Sequence, residues 1–307
     1  MTDIKNANGL TELEFLSKYN SSKYEKPSVT VDMLLFTLDE IRSDDIKRLP
    51  EKELKILLIK RKDHPFIGTW SVPGGFVDIN ESVDDAAYRE LKEETNIDNI
   101  YMEQLYTWGD VKRDPRMRVV STSYMALVNK QGLKEKAGDD ASDLAWFSIN
   151  KELVNEYKTQ NGDIIKNYIL SLVSSEKFVS IIYNITEVNS FIGFNKKVTY
   201  KFDIKEESNS KLAFDHVEIL SYALERLSNK VQYTTIAFSL LPETFTLTEL
   251  QQVYELLLGR ELTKPNFRRW ISKVVEETSY SKREGSYRPS KLYRLNKKLI
   301  LKGFTNI

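Results

Sequence analysis

Three glutamates, Glu90, Glu93 and Glu94, stand at positions i, i+3 and i+4 of a stretch whose other residues favour helix. One helix face then carries their carboxylates within about 6 Å of one another. Carboxylates that close repel unless cations sit among them. Mg²⁺ takes oxygen ligands, keeps several waters and shares itself with substrate phosphates, which suits such a cluster. A metal held there neutralises charge on a pyrophosphate and activates an attacking water. Arg89, next in the chain, is placed to hold one carboxylate through a bidentate pair. The competing reading is a solvated acidic helix face, the ordinary fate of Glu-rich helical stretches.

A helix of this kind needs a loop that delivers it and a buried side that holds it. The approach, WSVPGGFV from Trp70 to Val77, puts Pro73, Gly74 and Gly75 together, residues that mark a loop whose backbone comes close to something. Asn80 suits an N-cap or a pre-helix turn. Val83, Ala86, Ala87 and Leu91 recur at helical spacing, which predicts a helix over Glu81 to Asn96. Asn96 is acceptable at its end, because Asn tolerates the left-handed conformation found at helix C-termini. Around it, Val29–Leu38, Leu54–Lys60, Tyr101–Trp108, Val119–Val128 and Ala145–Ile149 read as strands, with a charged loop from Arg42 to Lys52. Glu152–Leu172 reads as helix interrupted near Gly162. Phe178–Ile185 and Lys197–Ile204 read as a hairpin joined through Asn189–Asn195, and His216–Leu227 as an amphipathic helix closing the first domain.

The C-terminal segment has its own order. Phe245–Leu258 predicts a helix with Thr246 as cap, Glu249 completing a capping box and Gly259 ending it. Pro265 suits the first position of a second helix running to about Val275. Its apolar residues Phe267, Trp270, Ile271, Val274 and Val275 fall on one side, leaving Asn266, Arg269 and Lys273 on another. Glu276–Ser281 and Lys291–Leu295 can pair as a hairpin across the basic tip KREGSYRPS. Helix, turn, helix and basic hairpin resemble a winged helix, in which the second helix enters the major groove and the wing touches the backbone. Candidate DNA contacts are Lys264, Asn266, Arg268, Arg269, Lys273, Arg283 and Arg288.

At 307 residues the chain exceeds a typical single domain, which predicts two, over residues 1–228 and 229–307. A composition 41% hydrophobic and 29% charged describes a soluble globular protein. With no Cys, disulfides and thiolate metal sites are excluded and a cytoplasmic setting is favoured. The opening MTDIKNANGLTELEF lacks an apolar signal core, and no stretch approaches a transmembrane length, so no membrane partner is expected. Net charge is zero, yet residues 260–307 hold 13 Lys and Arg against 4 Glu, a local +9 that leaves −9 on the rest. A basic C-terminal segment on an acidic body points to a polyanion partner.

The run from Gly75 to Ile97, GFVDINESVDDAAYRELKEETNI, resembles the Nudix box G-x5-E-x7-R-E-U-x-E-E-x-G-U, where U is apolar. It matches at Gly75, Glu81, Arg89, Glu90, Leu91, Glu93, Glu94 and Ile97, and departs only at Asn96. Outside the box, YEKPSVTVD (Tyr24–Asp32), RDPRMRVVS (Arg113–Ser121), LAFDHVEIL (Leu212–Leu220) and the long run Ile236–Ile271 make the whole chain similar to the Nudix-related transcriptional regulators. That resemblance implies an α+β Nudix fold, a mixed sheet between helices, followed by a winged helix-turn-helix domain. It also implies a homodimer on a double-stranded DNA operator, and a small effector, often ADP-ribose or a related product of NAD metabolism and in other members a sugar. Many members have a degraded box and no catalysis. Here the near-complete box implies Mg²⁺- or Mn²⁺-dependent hydrolysis of a nucleoside diphosphate compound, with Glu81, Arg89, Glu90, Glu93 and Glu94 as catalytic residues and the last three glutamates as metal ligands.

Other residues carry two readings each. Arg61, Arg113 and Arg116, with the backbone at Gly74 and Gly75, are candidates to meet ligand phosphate, or the arginines are ordinary surface cations. Asp139 and Asp140 are candidates for a general base or are simply solvated. Trp108 and Trp146 read as core aromatics rather than a base-stacking pair, and His216 as a packing or capping residue. Two other functions compete with the sensing regulator: a plain ADP-ribose-type pyrophosphatase with a C-terminal oligomerisation domain, and an inactive metabolite-sensing regulator.

Overall fold

The computed structural model describes residues 4–41, 50–98, 100–128, 138, 141–282 and 289–296. The chain begins with a short helix, α1 (Glu12–Lys18), capped by Thr11 and Glu14. Strands β1 (Ser28–Glu40), β2 (Lys52–Arg61), β3 (Trp70–Ser71) and β4 (Gly74–Phe76) lead to helix α2 (Val83–Thr95). Next come β5 (Glu103–Trp108), β6 (Val119–Leu127), β7 (Ala141–Lys158), β8 (Ile164–Ser174), β9 (Val179–Ile192) and β10 (Asn195–Ile204). Helices α3 (His216–Lys230), α4 (Leu247–Leu258) and α5 (Lys264–Ile271) are followed by the hairpin of β11 (Val275–Lys282) and β12 (Ser290–Leu295).

One sheet forms the body, in the order β10-β9-β8-β7-β2-β1-β6-β5, with β3 beside β2 and β4 beside β1. β1 runs parallel to β6 and antiparallel to β2, so the sheet is mixed, as expected. Successive side chains on a strand point to opposite faces, and β1 shows what this does. Val31, Met33 and Leu35 pack with Ala86, Ala87 and Leu91 of α2, while Leu34 and Phe36 join a second cluster on the other face. That second cluster continues through Ile219, Leu220, Ala223 and Leu227 of α3 into Leu250, Val253 and Leu257 of α4 and Phe267 of α5. A single apolar core therefore joins the sheet to the C-terminal helices, with α3 as the element between.

The sequence pattern anticipates most elements to within a few residues. Ser82, rather than Asn80, caps α2, its Oγ accepting from the Asp85 N–H at 3.1 Å. Asn96 ends α2 with φ of 58°, the left-handed conformation expected of it. The capping box of Thr246 and Glu249 closes α4, and Gly259 ends it with φ of 64°. α5 stops at Ile271, shorter than expected, and Pro265 falls in its first turn.

Two expectations are wrong. The loop expected over Asn189–Asn195 is mostly strand, since β9 runs to Ile192 and pairs there with β10. Glu152–Leu172 is not a helix; it is the outer half of β7, a turn, and most of β8. Residues 152–158 of β7 are all exposed, so no alternation of buried and exposed residues marks them as strand. Pairing with β8 overrides a composition that favours helix. Gly162, with φ of 89°, makes the turn. Among the described residues no helix is long and apolar enough to cross a membrane.

Leu220, fully buried on α3 between the sheet and the winged helix, tests the shared core. Leu220→Ala is expected to cost about 2–5 kcal/mol in urea unfolding.

Candidate ligand pocket and nucleic-acid interface

Arg89 organises the acidic face of α2. Its Nε and Nη2 donate to the two oxygens of Glu81 at 3.0 and 2.6 Å, and its Nη1 donates to Glu90 at 2.8 Å and Glu93 at 2.9 Å. Nη2 also reaches the carbonyl of Phe76 at 3.0 Å. The hydrogen bond from Arg89, followed by that from the Asp78 N–H, holds the Glu81 pKa down at about 2. Glu90 shifts the other way, because burial raises its pKa and the Arg89 contact only partly offsets this.

The two glycines let β4 lie against this cluster. A Cβ on Gly75 would stand 2.2 Å from the Glu90 carboxylate, and the Gly74 N–H donates to Glu94 Oε2 at 2.5 Å. Gly138, which the sequence reading missed, meets α2 from the other side. Its N–H donates to the Glu94 carbonyl at 2.9 Å, and a Cβ there would lie 2.2 Å from the Glu93 carbonyl oxygen. Asp139 and Asp140 lie outside the described residues. Among the described residues no three His, Cys, Asp or Glu side chains converge as a ready metal site. The donor set is nevertheless of hard carboxylate oxygens, the kind Mg²⁺ takes, with Glu90 and Glu93 held by Arg89.

Glu90, Glu94 and Arg89 form one wall of a cavity of about 760 Å³. Opposite them stand Arg61 and Arg116, interleaved with aromatic rings. The Arg116 guanidinium lies 5.4 Å from the Phe76 ring and 5.9 Å from Phe214, and Arg61 lies 5.0 Å from Phe214. Arg61 Nε also donates to the Pro65 carbonyl at 2.8 Å, and Arg116 pairs with Asp114 at 2.8 Å. Phe214 adopts φ of 48°, a left-handed backbone that non-glycine residues seldom take, and the fold holds its ring at this wall. Trp108 and Trp146 do not line the cavity; both are buried in the core, with Trp108 Nε1 donating to Ser123 Oγ at 2.9 Å.

Arg113 takes a different place from the phosphate contact expected of it. Its guanidinium is buried and donates to both oxygens of Asp215 at 2.8 and 2.9 Å and to Asp32 at 3.4 Å. Ser121 Oγ donates to Asp32 at 2.5 Å. His216 Nδ1 accepts from the Val72 N–H at 3.2 Å, which leaves its ring proton on Nε2, 3.7 Å from Asp32. Burial lowers the His216 pKa and keeps the ring neutral. Asp32, Arg113, Ser121, Asp215 and His216 come from three of the runs that carry the family resemblance, and they meet as one network, of which Asp32, Arg113 and His216 line the cavity. Asp32, Ser121 and Asp215 were missed because nothing in their local spacing announces a long-range pair. Ser71, also on the wall, is buried with an unpartnered hydroxyl.

In the C-terminal domain, Phe267 and Ile271 are buried and Trp270 packs edge-on against Tyr254 at 4.9 Å. This turns Lys264, Asn266, Arg268, Arg269 and Lys273 to the exposed side. Arg269 Nη2 donates to Asn266 Oδ1 at 3.2 Å, so these two side chains act as a unit. Thr263 gives α5 no side-chain cap, and Pro265 in the first turn has no N–H to offer. Arg283 and Arg288, expected on the wing, lie outside the described residues.

Because burial raises the Glu90 pKa, its ionised form costs stability at neutral pH, and the cost fades as pH falls through the folded pKa towards 4.5. Glu90→Gln is expected to raise Tm at pH 7 in metal-free buffer, and the gain should shrink at pH 4.5. Scanning calorimetry at the two pH values measures both.

Both domains have counterparts among known proteins. A model of the NUDIX domain matches residues 46–168, and a model of the NrtR DNA-binding winged helix domain matches residues 237–295. The chain is 34% identical over 92% of its length, and 88% of the relative's, to an ADPR responsive transcriptional repressor NtrR of Acinetobacter baylyi. Among solved structures, a MutT/nudix family protein from Enterococcus faecalis aligns at a TM-score of 0.65 and 30% identity, covering 94% of each chain. Shewanella oneidensis NrtR complexed with a 27mer DNA aligns at 0.55 and 29%, covering 87% of this chain and 93% of that one. With both domains matched in order and a relative spanning nearly its full length, the chain belongs to the Nudix-related transcriptional regulators.

Proposed function

We propose that this protein is a transcriptional repressor whose Nudix pocket binds ADP-ribose, or a closely related nucleoside diphosphate compound, and passes that occupancy to the winged helix. The observation that carries the reading is the Arg113 network. It fixes the N-terminus of α3 to the floor of the pocket, and the far half of α3 shares its core with α4. Arg61 and Arg116 supply cationic groups for a diphosphate, and Phe76 and Phe214 supply rings for a base to stack on. Binding that favours one placement of α3 over another changes operator affinity, typically by about 1–3 kcal/mol.

Catalysis belongs to the same pocket. Glu90, Glu93 and Glu94 would hold Mg²⁺ or Mn²⁺, which when bound neutralises diphosphate charge and acidifies a water. Arg89 keeps Glu81, Glu90 and Glu93 in register. A homodimer, which the family implies, would meet a palindromic operator with half-sites about one helical turn apart.

Fluorescence anisotropy on the DNA upstream of its gene, titrated with ADP-ribose, tests the main reading. Affinity unchanged at saturating ADP-ribose would end the sensing claim. Glu93→Gln with Glu94→Gln is expected to cut Mg²⁺-dependent turnover of ADP-ribose to AMP by orders of magnitude while circular dichroism stays the same. Wild type that cleaves no such compound leaves a sensor without catalysis. Arg269→Glu with Lys273→Glu should weaken operator binding by at least about 1–3 kcal/mol, and unchanged affinity would exclude α5 as the reading helix. Asp215→Asn should leave ADP-ribose and operator binding in place and diminish the effect of one on the other. An undiminished effect, seen by the same anisotropy titration, would take the network out of the coupling.

A further inference from the structure

The layer between α3 and the sheet is apolar over Leu170, Leu172, Ile181, Tyr183 and Ile185. The same face of the same strands then turns polar. Lys151 lies opposite Leu170 in the β7–β8 ladder, and steps of two along β8 and β9 bring Tyr168, Lys166 and Glu187 onto that face. The C-terminal half of α3 and the end of α4 roof these residues, enclosing a cavity of about 320 Å³ whose walls include Lys151, Tyr168, Glu187, Glu225, Asn229 and Gly259. It shares no lining residue with the pocket beside the Nudix box. Its volume suits a small ligand, since small-molecule sites run from about 300 to 1,000 Å³.

Charge gives the cavity its character. Lys151 is half-buried, and among the described residues no carboxylate pairs with its ammonium, which faces the Tyr168 ring at 4.6 Å. Burial lowers its pKa, while Glu225 and Glu187 attract it from beyond ion-pair distance. Glu187 is 8% exposed, and its Oε1 accepts from Asn189 Nδ2 at 2.7 Å. Asn189 is 2% exposed and leaves its own Oδ1 without a partner. A half-buried charge without a partner costs stability, as does an unpartnered buried amide oxygen such as that of Asn189, which lies next to the cavity wall in sequence but does not line it. Of the other two lysines on the lining, Lys166 pairs with Glu156 at 3.2 Å and Lys196 is exposed. Lys151 and the carboxylates that face it across the cavity without meeting leave room between them for a molecule that carries both charges.

We propose that this cavity, between the outer strands, α3 and α4, binds a small zwitterion of the α-amino-acid type, with its carboxylate on Lys151 and its ammonium on Glu187 and Glu225. Because α4 belongs to the winged helix, the occupant touches both domains and favours the placement that encloses it. This makes the junction a second input, independent of the Nudix pocket.

Differential scanning fluorimetry and calorimetric titration of the full chain test the proposal. The probes are the standard L-amino acids, with acetate, inorganic phosphate and ethylammonium as single-charge controls. At least one amino acid is expected to bind and raise Tm by mass action, and the single-charge probes are not. Lys151→Met and Glu187→Gln should each weaken that binding by about tenfold or more, the worth of one charge-assisted hydrogen bond. Lys151→Met also removes an unpaired charge, so its unliganded Tm should equal or exceed that of wild type, which separates lost binding from lost folding. The proposal is overturned if no amino acid binds, if binding survives both substitutions, or if acetate or phosphate alone binds as well.

Discussion

The two halves of this protein depend on one buried cation. Among the described residues Arg113 is the cation that pairs with both Asp32 and Asp215, beside a neutral His216, and its planar fork satisfies Asp215 twice while still reaching Asp32. Lysine cannot make that pattern. Removing one partner from a buried pair leaves an uncompensated charge, at a cost of about 3–5 kcal/mol. Asp215 sits at the N-cap of α3 yet makes no side-chain cap, because its carboxylate is committed to Arg113. The start of α3 is thus set by a tertiary ion pair instead of by its own local signals. Where α3 begins, the pocket ends, and where α3 finishes, the winged helix packs.

The pocket is also held together by charge, with the opposite balance. Four glutamates surround Arg89 or the adjoining glycines, and the arginine reaches Glu81, Glu90 and Glu93. Glu81 is deeply acidic and Glu90 is pushed the other way by burial, so the cluster holds carboxylates of unlike affinity for protons within one helix face. Such a face keeps its shape through Arg89, and the buried Glu90 is the member that costs stability while ionised.

Much of this was legible in the chain. The box, Asn96 as the end of α2, the capping box of α4 and the winged helix follow from local spacing, because each is a short-range pattern, whereas the mixed sheet came with the family resemblance. Phe267, Trp270 and Ile271 announced the buried side of α5, and with it the basic exposed side. Three things were not legible. The outer half of β7 lacks alternation because it is exposed, so its charged residues read as helix. Arg113 read as a phosphate contact because its partner Asp215 lies 102 residues away. The aromatic wall of Phe76 and Phe214 needed the left-handed backbone at Phe214, which no propensity suggests.

The long sheet ends in two outer strands, β5 and β10, and among the described residues no strand pairs with the far side of β10. Open edges invite other strands to pair with them, and lysines discourage this by repulsion. β10 carries Lys196, Lys197 and Lys201, with Lys205 just beyond, so a second copy laid antiparallel along it would set lysine against lysine. That repulsion discourages the sheet from extending through this edge.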